Sequence, residues 1–115
     1  MSPEAARGMY RRQIARHGET VTLRRINSSP TAPTNRDVRA RVLGYTPDEL
    51  VGEVQQGDRK IIVLAEDMGS FPVPFRERST DRVIVRGAEL AIQAVDDSTR
   101  RVAGELIAYE IRARG

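Results

Sequence analysis

Cysteine and tryptophan are absent from this chain, and lysine and histidine occur once each, as Lys60 and His17. Without cysteine there is no disulfide framework, no thiolate metal site and no thiol nucleophile. A single histidine makes no imidazole ligand set, so any metal would have to rest on oxygen ligands. Aromatic residues are scarce at 4%, with only two Phe, so the interior has to be built from Val, Ile, Leu and Ala. Such a core is thin. A domain of this size hides only about two-thirds of its unfolded surface, and ordered partners can supply part of its stability. No run approaches the ~20 apolar residues that span a bilayer, and no apolar stretch after the N-terminus resembles a secretory signal. The expectation is a soluble protein, cytosolic when made, with no membrane partner.

Motifs of catalysis are missing too. The chain has no Gly-rich phosphate loop, no Ser elbow and no His-rich ligand pattern. Adjacent carboxylates include Glu66-Asp67 and Asp96-Asp97, besides the Asp48-Glu49 of a helix-start signature. Neighbours in a strand point to opposite faces, and Asp96-Asp97-Ser98-Thr99 reads as a turn. The expectation is a protein that is not an enzyme, with no catalytic residue, metal or cofactor.

The 115 residues amount to one domain, 1–115, with a formal charge of +3. Eighteen of the nineteen basic residues are Arg. Arginine favours planar, multidentate contacts, which fits interfaces or phosphate contact; a G+C-rich genome produces the same bias.

Ser2-Pro3-Glu4 supplies a capping hydroxyl, a proline for the first turn and an acid for the positive helix end. This predicts a helix over residues 1–18, ended by Gly18. Ala6, Met9, Tyr10 and Ile14 fall at helical spacing and leave Arg7, Arg11, Arg12 and Arg16 on the flanks and outside. The basic flank is a solvated face or a contact for nucleic acid or an acidic groove, and it has some likeness to an Arg-rich transit peptide. His17 falls at the helix end, where a cation is tolerated.

From Thr20 the period becomes two. Val21 and Leu23 share a face in TVTLRRI, as do Val38, Ala40 and Val42 in DVRARVL, predicting two half-buried strands. The NSSPTAPTNR stretch between them, residues 27–36, is polar and carries Pro30 and Pro33, so a mobile loop is expected there. Ser28, Ser29, Pro30, Thr31 and Pro33 become candidate partner contacts. Thr46-Pro47-Asp48-Glu49 predicts a short helix to about Val54. The run Ile61-Ile62-Val63-Leu64 predicts a central strand buried on both faces.

Pro72 and Pro74 cannot donate to a sheet ladder, so residues 68–80 read as an extended edge or loop. Its Phe71 and Phe75 either enter the core or present an apolar anchor to a neighbour. The last third alternates three times, through Val83 and Val85, Leu90 and Ile92, then Ile107, Tyr109 and Ile111. Short connections at Arg86–Glu89 and Asp96–Gly104 imply antiparallel hairpins. The fold class is therefore mainly β: a small barrel or sandwich of about six antiparallel strands over 20–115, with an N-terminal α-helix and a long mobile loop.

GDRKIIVLAEDM, a Pro-containing connection, DRVIVRGAELAIQAVD and the terminal GELIAYEIRARG together resemble the small head-tail joining proteins of tailed phages, prophages and gene transfer agents, called stoppers or head-closure proteins. The resemblance covers most of Thr20 to Gly115 and rests on strand order and the closing hydrophobic pattern.

The resemblance implies a β-barrel subunit of the virion neck, made in the host cytoplasm and found at the head-tail interface. The subunit would form a ring with copies of itself, of about six or twelve subunits. That ring would sit beneath the portal and adaptor proteins and above the tail terminator or tail tube, holding packaged double-stranded DNA in its channel. By position, residues 27–36 match the kind of loop that reaches into the channel or along a neighbour.

Identical subunits in a ring need two different complementary patches. An Arg-rich face on one side and Asp48, Glu49, Glu53, Glu66 and Asp67 on another are the expected pair. Two other classes stay open: a tail terminator or other connector, which would bind the tube end, and a basic nucleic-acid-binding module, which would bind duplex with steep salt dependence. The lack of an aromatic stacking platform counts against single strands.

Overall fold

Strands whose side chains alternate between apolar and polar bury one face only, and a sheet with one apolar face hides it by closing on itself. The computed structural model, which describes Met1 to Gly115, takes that solution. Its elements are α1 (Pro3–His17), β1 (Glu19–Arg25), β2 (Thr34–Gly44), β3 (Arg59–Leu64), β4 (Asp81–Val85), β5 (Ala88–Asp96), β6 (Arg101–Val102), β7 (Glu105–Leu106) and β8 (Ala108–Arg114). Six strands form a closed antiparallel barrel in the order β1-β2-β3-β8-β5-β4, and β6 and β7 form a separate small hairpin. The fold is thus the mainly-β barrel with one N-terminal helix that the alternation predicts.

The lumen is filled by Val21, Leu23, Ile61, Val63, Val83, Ile92 and Ile111, all but inaccessible to solvent. A second cluster lies outside the barrel wall, where Ala6 and Ile14 of α1 meet Leu64 and Ile107. The two clusters explain why Ile61 to Leu64 is apolar throughout: one side chain in two enters the lumen and the other lies under the helix. Ser2 caps α1 through its hydroxyl, which accepts from the Ala5 N–H at 3.1 Å. Gly18 ends the helix with φ −88°, outside the left-handed region. It is required for closeness: a Cβ there would sit 2.4 Å from the Ile14 carbonyl oxygen and 2.8 Å from that of Ala40.

Four expectations are corrected. The segment after Thr46 makes only a single 3-10 turn, Pro47–Glu49, and no helix reaches Val54; Gly52, in the left-handed region at φ 61°, turns the chain away. Strand β2 starts at Thr34, so Thr34, Asn35 and Arg36 belong to the sheet and the loop shrinks to residues 26–33. Those polar residues pair with the end of β1, with Thr22 donating to Asp37 at 2.7 Å and Arg24 to Asn35 at 2.9 Å. The connection from β5 to β8 contains the β6–β7 hairpin and is no simple turn. Ile107 therefore leaves the alternation of Tyr109 and Ile111: its carbonyl accepts from Ala65 and its side chain joins the cluster under the helix.

Candidate interaction surfaces

Helix α1 lies over β2 and β3 and divides its arginines between two flanks. On one flank, Arg7 donates to Glu105 at 2.6 Å and Arg11 makes a two-pronged pair with Glu66 at 2.6 and 2.8 Å. Glu4 lies within 3.4 Å of Arg7 and 3.2 Å of Arg11. Arg11 holds the Glu66 carboxyl below its usual range. On the other flank, Arg12 and Arg16 are exposed and make no hydrogen bond or ion pair within the chain.

The expected split between an arginine face and an acidic face is therefore corrected. Glu66 neutralises Arg11, Glu53 pairs with Arg78 and lies 3.8 Å from Arg112, and Glu49 binds Lys60 at 2.7 Å. Asp48 and Asp67 alone of the five named acids stay outside ion pairs.

Phe71 and Phe75 both enter the barrel, so the reading of either as an anchor for a neighbour is corrected. With Met68 they plug the mouth at the Arg25 end. Phe75 meets Phe71 at 5.9 Å and the edge of Tyr109 at 5.4 Å between ring centres. The plug is pinned by Arg25 and Asp81, which face each other across β1 and β4 and are both buried. Arg25 Nε and Nη2 donate to the two Asp81 oxygens at 2.7 and 2.8 Å, and Nη2 also donates to the Pro74 carbonyl at 3.0 Å. Asp81 accepts from the Arg76 N–H at 2.7 Å, and the guanidinium lies 5.8 Å from the centre of the Phe71 ring. Hydrogen bonding to Asp81 raises the Arg25 pKa further.

Alternation carried one step further signals this pair. Val21 and Leu23 share the lumen phase with Arg25, and Val83 and Val85 share it with Asp81. The pair fills the last inward position of β1 and the first of β4.

A second buried carboxylate holds the chain between β2 and β3. Asp58 accepts from Arg114 Nε at 2.7 Å and Nη2 at 3.0 Å, from Arg112 at 3.4 Å and from the Gln55 N–H at 3.0 Å. Arg114 first, then the Gln55 N–H, hold its pKa below the ordinary Asp range. Arg112 and Arg114 also donate to the Glu53 carbonyl at 2.6 and 3.0 Å, which straps residues 45–58 to the outside of β8. Near the start of the strap, the Lys60 ammonium and the Thr46 N–H hold Glu49 down to about 2. Nothing in the local pattern around Asp58 marks it as buried.

The loop candidates Ser28, Ser29, Pro30, Thr31 and Pro33 are all exposed. Asn27 ties the loop ends together by donating to the Ala32 carbonyl at 2.8 Å and the Thr34 hydroxyl at 3.0 Å. The sequence reading missed a hollow of about 330 Å³ beside the plug, lined by Val73, Pro74, Phe75, Val95 and Tyr109, with Glu77 and Asp97 among its walls. Val73 is 53% exposed at its edge. Asp96 turns the chain next to it, accepting from the Ser98 and Thr99 N–H groups at 2.7 and 3.0 Å.

No group of three His, Asp or Glu side chains converges at metal-binding range, and no helix is long and apolar enough to cross a membrane. No known family model matches the chain. No curated protein matches it significantly.

Proposed function

We propose that this chain is a non-catalytic structural subunit of a tailed-phage neck, a stopper or head-completion protein. Its ring would lie below the portal and adaptor, hold packaged DNA and dock the tail. The observation that carries the reading is the closed six-stranded antiparallel barrel behind a single N-terminal helix. That is the architecture implied by the resemblance of GDRKIIVLAEDM and the two closing segments to head-closure proteins. A lumen packed with the chain's own side chains supports a building block. Folds alone do not assign function, so the reading joins the fold to that resemblance.

The test is electron microscopy of particles from a producing strain with and without this gene. Packed or leaky heads without tails, together with free tails, are expected from the deletion. Normal tailed particles would overturn the reading. Tailed particles with tubes of irregular length would move the assignment to tail terminator.

Arg12 and Arg16, which have no partner in the chain, favour a second reading as a duplex-binding module. Micromolar or tighter binding to duplex DNA, falling steeply between 50 and 200 mM salt, is the signature on the order expected for several phosphate contacts.

A further inference from the structure

The hollow beside the plug is shaped for one kind of side chain. Its walls combine the half-buried Tyr109 ring with Val73, Pro74 and Val95, and it holds two carboxylates, Glu77 and Asp97. Neither makes an ion pair; Glu77 has no hydrogen-bond partner, and the Asp97 side chain accepts only from the neighbouring Ser98 hydroxyl at 3.2 Å. A guanidinium is planar, stacks on aromatic rings, and forks onto carboxylates while its stem lies along apolar groups. An ammonium can meet the ring and the acids, as Lys60 meets Tyr45 at 5.1 Å, but it has no plane to stack and no fork. The cations already nearby do not fill the site: Arg101 turns to the main-chain oxygens of Asp97 and Gly104 at 2.7 and 2.9 Å, and Arg76 points its side chain to no acid.

The same chain carries the matching donor. Arg12 and Arg16 are one helical turn apart, exposed, and without a partner, beside the half-exposed Met9. They lie on the helix over β2 and β3, whereas the hollow lies at the ends of β5 and β8, and within one chain the two do not meet. We infer that the hollow between Tyr109, Glu77 and Asp97 takes Arg12 or Arg16 of a second copy, with Met9 against Val73.

The contact joins two different patches. It is therefore heterologous, and copies repeat around a ring when the rotation closes. The inference rests on the neck-ring reading and assigns the surfaces that would build the ring. Arginine seated against an aromatic ring and flanked by two acids is a residue type enriched among interface hot spots.

The test is native mass spectrometry of the purified chain and two charge reversals, R12E/R16E and E77R/D97R, each checked for native circular dichroism. All four positions lie outside the barrel core. Wild type is expected to form oligomers at physiological salt, and each reversal alone to weaken assembly by roughly tenfold or more. An equimolar mixture of the two reversals should reassemble, because each then offers what the other lacks. Wild type that stays monomeric, reversals that assemble like wild type, or a mixture that stays apart would each overturn the contact. Assembly that persists in the reversals leaves the neck reading standing, whereas normal tailed particles without the gene remove that reading whatever the contact does.

Discussion

Two long irregular segments are fastened to the same barrel in opposite ways. The plug, residues 68–80, enters the lumen with Met68, Phe71 and Phe75 and shields the Arg25–Asp81 pair from water. The strap, residues 45–58, stays outside with Val51 68% exposed and is held by carboxylate and carbonyl contacts to Arg112 and Arg114. Burial dominates the first and charged hydrogen bonds the second. An apolar plug without its ion pair would still favour the lumen; a strap without Asp58 keeps only exposed or part-buried polar contacts, those of the Glu53 carbonyl and the Glu49–Lys60 and Glu53–Arg78 pairs.

The sharpest way to break that contrast is Asp81→Ala. It leaves a buried guanidinium uncompensated and should cost about 3–5 kcal/mol, read as a fall in the urea midpoint. Replacing both partners, Arg25→Met with Asp81→Leu, should recover most of the loss, because breaking such a pair costs far more than replacing it with apolar side chains. If the double variant is as unstable as the single one, the pair does more than satisfy itself. Phe75→Ala should come next at about 3 kcal/mol for an emptied aromatic site, again in the global midpoint.

Asp58→Asn tests the other side. Charged hydrogen bonds are each worth about 1.5–3 kcal/mol, and the loss should appear first as faster amide exchange across residues 45–58, with the barrel strands still protected. Equal loss of protection in strap and barrel would mean that the strap is part of the global folding unit.

The smallest effect is a titration. The folded Asp58 pKa is depressed, so its contribution is fully present above the ordinary value of about 3.9 and disappears as pH falls through the lower folded value. The Gln55 amide shift, whose N–H donates to Asp58, should therefore inflect below pH ~3.9 and lose that inflection in Asp58→Asn. An inflection at the ordinary value would show an unfastened strap.

The contrast also explains what was legible in the sequence. Period-two alternation located the barrel strands because burial imposed it, and it extends to Arg25 and Asp81 at the inward phase. The polar start of β2 was hidden: its ladder to β1 is held by backbone pairing and by Thr22–Asp37 and Arg24–Asn35 contacts, none of which needs an apolar residue. Ile107 kept the alternating look of β8 while serving the helix, because both environments select the same side chain. The hollow was invisible for another reason. Val73 and Glu77 come from the plug, Asp97 from just past the end of β5 and Tyr109 from β8, and the three stretches converge only once the plug is seated.

The seated plug has a geometric consequence for any assembly of this chain. Each barrel is a solid stave, its bore occupied by Phe71, Phe75 and the side chains stacked behind them. An aperture in such an assembly can lie only between staves. Its width would be set by how many copies stand around it and by their tilt, and no rearrangement inside a single barrel would need to open or close it.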